Sequence, residues 1–119
     1  MLVVDDELLI RWSLGEALAA AGFIVVEGRD AAETRKALRD EANRPDLVVL
    51  DYRLPDSDDL GLLTTIRREV PGVPVILMTA HGTADVVNGA LDLGAYRVVS
   101  KPFEMHAMAS LVAEALAAR

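Results

Sequence analysis

Short, wholly apolar runs alternate along this chain with longer stretches in which apolar residues recur every three or four positions. The runs are Leu2-Val3-Val4, Phe23-Ile24-Val25-Val26, Leu47-Val48-Val49-Leu50, Val75-Ile76-Leu77-Met78 and Val98-Val99. Runs this short with no polar alternation predict strands buried on both faces, as in a parallel sheet. Between them, Ile10, Leu14, Ala17, Leu18 and Ala21 fall at helical spacing, and Gly22 is placed to end that helix. Asp30 with Glu33 reads as a capping box opening a second helix toward Ala42. A third helix is predicted from about Asp59 to Val70, stopped by Pro71-Gly72. A fourth runs from near Ala84 to Leu93 with Val86, Val87, Ala90 and Leu91 inward, ahead of Gly94. The last carries Met108, Leu111, Val112, Ala115 and Leu116 on one stripe. Five strand–helix alternations predict an α/β domain spanning residues 1–119, a doubly wound (βα)5 unit with right-handed crossovers.

The polar residues that close these runs are not ordinary loop residues. Asp5 and Asp6 follow the first run, Asp51 the third, Thr79 the fourth, and Lys101 lies just past the last. Open α/β sheets bind ligands beyond the carboxyl ends of their strands. Four strands therefore bring three carboxylates, a hydroxyl and an ammonium to one edge.

Composition narrows what that edge does. The chain has 119 residues, 52% hydrophobic but only 4% aromatic, so the core is aliphatic. The formal charge is −7, which argues against phosphate-backbone binding by this domain alone. There is no cysteine, no run near the ~20 apolar residues of a membrane helix, and acidic residues appear by position 5. A cytoplasmic setting without disulfides or thiolate metal sites is expected. Ten of the twelve basic residues are Arg, and Lys occurs only at 36 and 101.

Three carboxylates in one cleft raise one another's pKa unless a cation relieves them. Hard oxygen ligands suit Mg²⁺ (or Mn²⁺), which leaves room for water and phosphate oxygens. With the repulsion cancelled, one carboxylate is free to act as nucleophile. Thr79 can donate to an incoming phosphoryl oxygen and Lys101 can neutralise its charge. The pattern fits in-line phosphoryl transfer built from positioning and electrostatics.

At Val3-Val4-Asp5-Asp6-Glu7, Leu50-Asp51-Tyr52-Arg53-Leu54-Pro55, Met78-Thr79-Ala80 and Lys101-Pro102-Phe103 the chain resembles the receiver domain of two-component response regulators. The four motifs occur in the family's order and spacing, and the resemblance covers essentially the whole chain. Ile10-Arg11-Trp12 and Thr79-Ala80-His81-Gly82 look most like receivers of the nitrogen-regulator (NtrC) type. The resemblance implies a flavodoxin-like (CheY-like) sheet of order 2-1-3-4-5. It implies that Asp51 accepts a phosphoryl group from a histidine kinase or histidine phosphotransfer protein. Asp6 would bind Mg²⁺ directly and Asp5 through water, with Asp51 and the carbonyl of Arg53 as further ligands. Thr79, the Ala80 N–H and Lys101 would hold the phosphoryl oxygens, and Lys101-Pro102 would be a cis peptide. Phosphorylation would then reshape the surface of the fourth helix, fifth strand and fifth helix by shifting the population between two states. The product is a signalling module that controls transcription, reaching DNA only through an attached output domain, with a homodimer as a further partner.

Three positions depart from the family pattern. Val98 stands where an aromatic ring usually follows the movement of Thr79. Tyr96, two residues earlier, shares its strand face by period 2 and is the candidate substitute, against a packed or surface-exposed tyrosine. Asp59 replaces a common glycine and is read as the start of the third helix, and Asp56, Ser57, Asp58 and Asp59 together read as a solvated loop that lacks the glycine and closing glutamate of a calcium loop. Trp12 lies off the Ile10–Leu14 stripe. With Leu9 and Ser13 it forms a kinase-docking face, or it packs on a neighbouring helix. His81 is read as a loop residue near the site and His106 as surface. Two rivals stand beside the receiver reading. One is a phosphorylation-independent scaffold. The other is a small Asp-nucleophile phosphatase, whose usual Asp-x-Asp order is reversed here.

Overall fold

The computed structural model describes residues 1–57 and 60–118. Strands β1 (Leu2–Val4), β2 (Val26–Gly28), β3 (Val48–Asp51), β4 (Val75–Thr79) and β5 (Arg97–Ser100) form one sheet in the order β2-β1-β3-β4-β5. Every pairing is parallel. The strands alternate with helices α1 (Leu8–Ala20), α2 (Ala31–Arg39), α3 (Gly61–Glu69), α4 (Ala84–Asp92) and α5 (Met105–Ala117). The predicted (βα)5 order is the observed one. Connections leave β1 in opposite directions, so β1 and β3 flank the switch point where such sheets form their crevice.

Register assigns the two faces. Val4, Leu50, Leu77 and Val98 stand in one row across the sheet. They pack with Leu38 of α2, Leu63 and Ile66 of α3 and Ala90 of α4. The alternate row, Val3, Val49 and Ile76, packs with Leu14 and Leu18 of α1 and Met108, Val112 and Ala115 of α5. The central strands are closed on both faces, which is why their sequences show no alternation.

The edges depart from the predicted pattern. The apolar run at 23–26 is not a strand; pairing begins at Val26 and continues to Gly28. The Phe23 N–H is already committed to the Leu18 carbonyl at 3.1 Å, so the chain is still leaving α1 there. Ile24 is 85% exposed, while Phe23 and Val25 pack on the α1–α5 side. The second helix stops at Arg39, and a short 3₁₀ turn at Glu41–Asn43 replaces its expected extension to Ala42. Asp30 accepts from the Glu33 N–H at 2.8 Å as predicted, but the Glu33 carboxylate returns to the Arg29 N–H, one residue earlier than a capping box requires. Leu91, expected inward, is 46% exposed. Helix α4 lies over the edge strand β5 and buries only Ala90. The expected start of α3 at Asp59 lies outside the described residues.

Both predicted glycine stops form the same hydrogen-bonded cap. Gly22 (φ 98°) donates to the Ala19 carbonyl and Phe23 to that of Leu18. Gly94 (φ 94°) donates to Leu91 and Ala95 to Ala90. This is the six-to-one and five-to-two pairing of a Schellman ending, which needs a left-handed residue. A Cβ at Gly22 meets nothing within 4 Å, whereas one at Gly94 would lie 3.3 Å from the Arg67 Nε. Gly22→Ala is therefore expected to cost about 1 kcal/mol from backbone strain alone. Gly94→Ala is expected to cost more. Urea unfolding of the two variants side by side checks the order, and equal losses would show that Arg67 yields freely.

Candidate functional site

The four strand ends meet as predicted. Asp5 continues the β1 ladder, its N–H donating to the Gly28 carbonyl at 3.1 Å, and this carries its carboxylate fully beneath the surface. Asp51 closes β3 and is 6% exposed; Thr79 closes β4 and is 2% exposed. The Lys101 N–H donates to the Thr79 carbonyl at 2.8 Å, fixing the lysine backbone beside β4. Its ammonium donates to the Asp5 Oδ2 at 2.8 Å and lies 3.3 Å from the Asp51 Oδ1. The other Asp5 oxygen accepts from the Glu7 N–H at 2.9 Å.

Asp6 is exposed, yet the carboxylates of Asp5, Asp6 and Asp51 present oxygens within 4.8 Å of one another. Above them opens a cleft of about 520 Å³ lined by Asp6, Glu7, Asp51, Tyr52, Arg53, Thr79, Ala80, His81 and Lys101. Burial, with the charge of Asp5 adding to it, raises the Asp51 pKa to about 6 against the pull of Lys101. For Lys101, burial alone would lower the pKa, but the hydrogen bond to Asp5 and the charge of Asp51 outweigh it and the net shift is upward. One ammonium thus faces a buried carboxylate pair that it only partly neutralises. Hard oxygens in excess of positive charge form a donor set for a divalent cation.

The Lys101–Pro102 peptide is cis, as expected. The expected face-sharing of Tyr96 and Val98 is not observed. Val98 packs in the layer under α3 and α4, while Tyr96 packs in the layer under α1 and α5. Tyr96 lies one residue ahead of β5, its N–H donating to the Val75 carbonyl of β4 at 2.8 Å, and the Arg97 guanidinium sits 5.5 Å from its ring centre. Asp56 is also not simply a solvated loop residue. Its two carboxylate oxygens accept from the N–H groups of Ala31 (2.8 Å) and Ala32 (3.1 Å) at the start of α2. The Ala31 hydrogen bond, with that of Ala32, lowers the pKa of this carboxyl. The loop after Asp51 is thereby pinned to a helix 25 residues earlier in the chain.

Trp12 is 55% exposed, beside Leu8 and Leu9, which are still more open. His81 is exposed at the cleft rim, its N–H donating to the Thr79 hydroxyl oxygen at 3.2 Å. Two residues that stand within the quoted motifs were given no role of their own from sequence. Glu7 lines the cleft with its carboxylate 3.8 Å from the Lys101 ammonium, and its position directly after the acidic pair was a usable signal. Arg11 reaches the Asp5 carbonyl at 2.8 Å, a contact with no local sequence signature.

The model of the response regulator receiver domain matches residues 1–113. The chain belongs to that family. Among curated relatives of this receiver domain, the DNA-binding transcriptional regulator NtrC of Escherichia coli K12 is 40% identical over 114 residues, covering 96% of the chain and 24% of the relative. The regulatory protein GlrR of the same organism is 33% identical over 116 residues, covering 98% and 26%. The chain therefore spans about a quarter of the length of these relatives. The solved receiver domain of NtrX from Brucella abortus superimposes with a TM-score of 0.89 at 34% identity, covering 99% of this chain and 98% of that one. The cluster of Asp5, Asp6 and Asp51 is typical of Mg²⁺-binding receiver domains. Among the described residues, no helix is long and apolar enough to cross a membrane.

Proposed function

We propose that this receiver domain accepts a phosphoryl group on Asp51 from a histidine kinase or histidine phosphotransfer protein, and that the change in charge switches a transcription regulator. The observation that carries the reading is the Lys101 ammonium set between Asp5 and Asp51 beside the Thr79 strand end. Asp6, Asp51 and the Arg53 carbonyl are the direct ligands we assign to Mg²⁺ or Mn²⁺, with Asp5 acting through water. When bound, the cation screens the carboxylates and the transferring phosphoryl oxygens.

Asp51 supplies the nucleophilic oxygen. A new O–P bond forms as the P–N bond to the donor imidazole breaks, and the imidazole departs with that electron pair. Because Asp51 titrates near 6, most molecules hold it ionised at neutral pH even before a cation lowers the pKa further. Lys101, the Thr79 hydroxyl and the Ala80 N–H are the groups we assign to the phosphoryl oxygens. Thr79 moving toward that charge would draw the 80–83 loop and shift the α4–β5–α5 surface. Val98 supports a version of this switch read through the loop and α4 rather than through an inward-turning ring. The exposed Leu8, Leu9 and Trp12 beside the cleft are the contact we assign to the phosphodonor protein.

The deciding experiment treats the chain with acetyl phosphate and Mg²⁺ and locates the adduct by mass spectrometry. One phosphoryl group on Asp51 is expected, absent in Asp51→Asn and absent without divalent cation. An unmodified Asp51 would leave the scaffold reading in its place, and turnover of external phosphate esters would favour the phosphatase.

A further inference from the structure

The first turns of α1 invert the usual order of burial. Leu8, Leu9 and Trp12 are 68%, 73% and 55% exposed, while the Arg11 side chain between them is only 14% exposed. Arginine is normally the residue left in water, unless its charge is paired. Here it is paired twice. The Nε donates to the Glu27 carboxylate at 3.0 Å, and Nη1 donates to the backbone carbonyl of Asp5 at 2.8 Å. The two acceptors lie on neighbouring strands, Glu27 within β2 and Asp5 just past β1, whose residues Val3 and Glu27 are register partners. The planar fork of a guanidinium can satisfy both at once, and a single ammonium at that position cannot do so with the same geometry.

We infer that Arg11 is a positioning residue for the cation-binding arm, holding the Asp5–Asp6 backbone through the Asp5 carbonyl while Glu27 holds the guanidinium. The inference rests on the cation reading proposed above. Asp5 is otherwise fixed through its side chain, by Lys101 and the Glu7 N–H, and through its own N–H, which donates to the Gly28 carbonyl. The carbonyl contact acts on the next peptide, the one that joins Asp5 to Asp6. Partners one shell out from a metal's ligands typically change affinity by about 10–100-fold when removed.

The test measures Mg²⁺ affinity by isothermal titration calorimetry for the parent, Arg11→Lys, Arg11→Met, Glu27→Gln and a remote control, Arg97→Met, which breaks the surface pair with Glu114. Thermal midpoints in EDTA are recorded alongside. Arg11→Lys and Arg11→Met are expected to weaken Mg²⁺ about tenfold and Glu27→Gln less. Arg97→Met should bind as the parent does, even where it lowers the midpoint. A parent-like affinity in folded Arg11→Lys overturns the inference, as does a loss in Arg97→Met that matches the Arg11 variants. A parent chain that binds no Mg²⁺ overturns the cation reading itself, an outcome distinct from both.

Discussion

Replacing Lys101 by methionine is expected to destabilise the cation-free chain by about 3–5 kcal/mol at pH 7.5, the usual cost of removing one partner from a buried ion pair. Methionine keeps much of the apolar stem, so the loss reports the ammonium rather than the packing. Without it the Asp5 carboxylate, with no exposed surface, keeps among the described residues only the Glu7 N–H as a hydrogen-bond donor, and Asp51 faces it with no intervening charge. The Lys101 pKa is raised on folding, so its contribution is fully present below the unfolded value of 10.5 and fades only as pH rises through the higher folded value. At pH 7.5 nothing has yet been lost. Two conditions should return part of the stability to Lys101→Met. Acid does so by protonating the stranded carboxylates, and millimolar Mg²⁺ does so by replacing the missing positive charge. Urea unfolding in EDTA, in Mg²⁺ and at pH 5 separates these effects. A loss below 1 kcal/mol in EDTA at pH 7.5 would mean that water, not Lys101, carries the carboxylates.

The parts legible in the sequence share one physical property: they are set by burial along a single strand or helix. Strands β1, β3 and β4 are covered on both faces, so their apolar runs stand out and their last residues mark the site. Both glycine stops were equally plain, because a left-handed residue at a helix end has few substitutes. What escaped depends on contacts made across the fold or at its margins. The apolar run at 23–26 lies mostly ahead of β2, which pairs on one side only: Phe23 and Val25 pack inward and Ile24 lies exposed before pairing begins at Val26. Tyr96 lies one residue ahead of β5, and its ring packs on the face opposite that of Val98, which only the fold reveals. Asp56 sits in a run of acidic residues that looks solvated, and its capping of α2 exists only once two loops meet. Arg11 differs from the other arginines only in what the fold puts beside it. The residues that hold a nucleophile, a cation or a phosphate were visible; those that hold these residues were not.

Replacing Asp51 by asparagine should act in the opposite direction to the Lys101 substitution. In EDTA at pH 7.5 it is expected to stabilise the chain by about 1–3 kcal/mol. Folding raises the Asp51 pKa from 3.8 to about 6, chiefly by burial and then by the charge of Asp5. Each pKa unit corresponds to ~1.4 kcal/mol, so ionised Asp51 costs the native state up to about 3 kcal/mol. The native state binds more protons than the unfolded state between pH 3.8 and about 6. Parent stability from this group therefore rises as pH falls through that window and levels off below it. The asparagine variant lacks this dependence, so its advantage should be full above pH 6 and mostly gone by pH 4. Asparagine still presents an oxygen to Lys101, which limits the loss of the 3.3 Å contact. Saturating Mg²⁺ should reverse the order. The parent gains binding free energy, ~2.7 kcal/mol at a hundredfold excess over Kd, while the variant has given up a charged ligand. Urea unfolding of both proteins across the pH series, with EDTA and with Mg²⁺, tests both halves. A variant no more stable than the parent in EDTA at pH 7.5 would show that Lys101 already neutralises Asp51 in full. The site would then hold no strain for a cation to relieve.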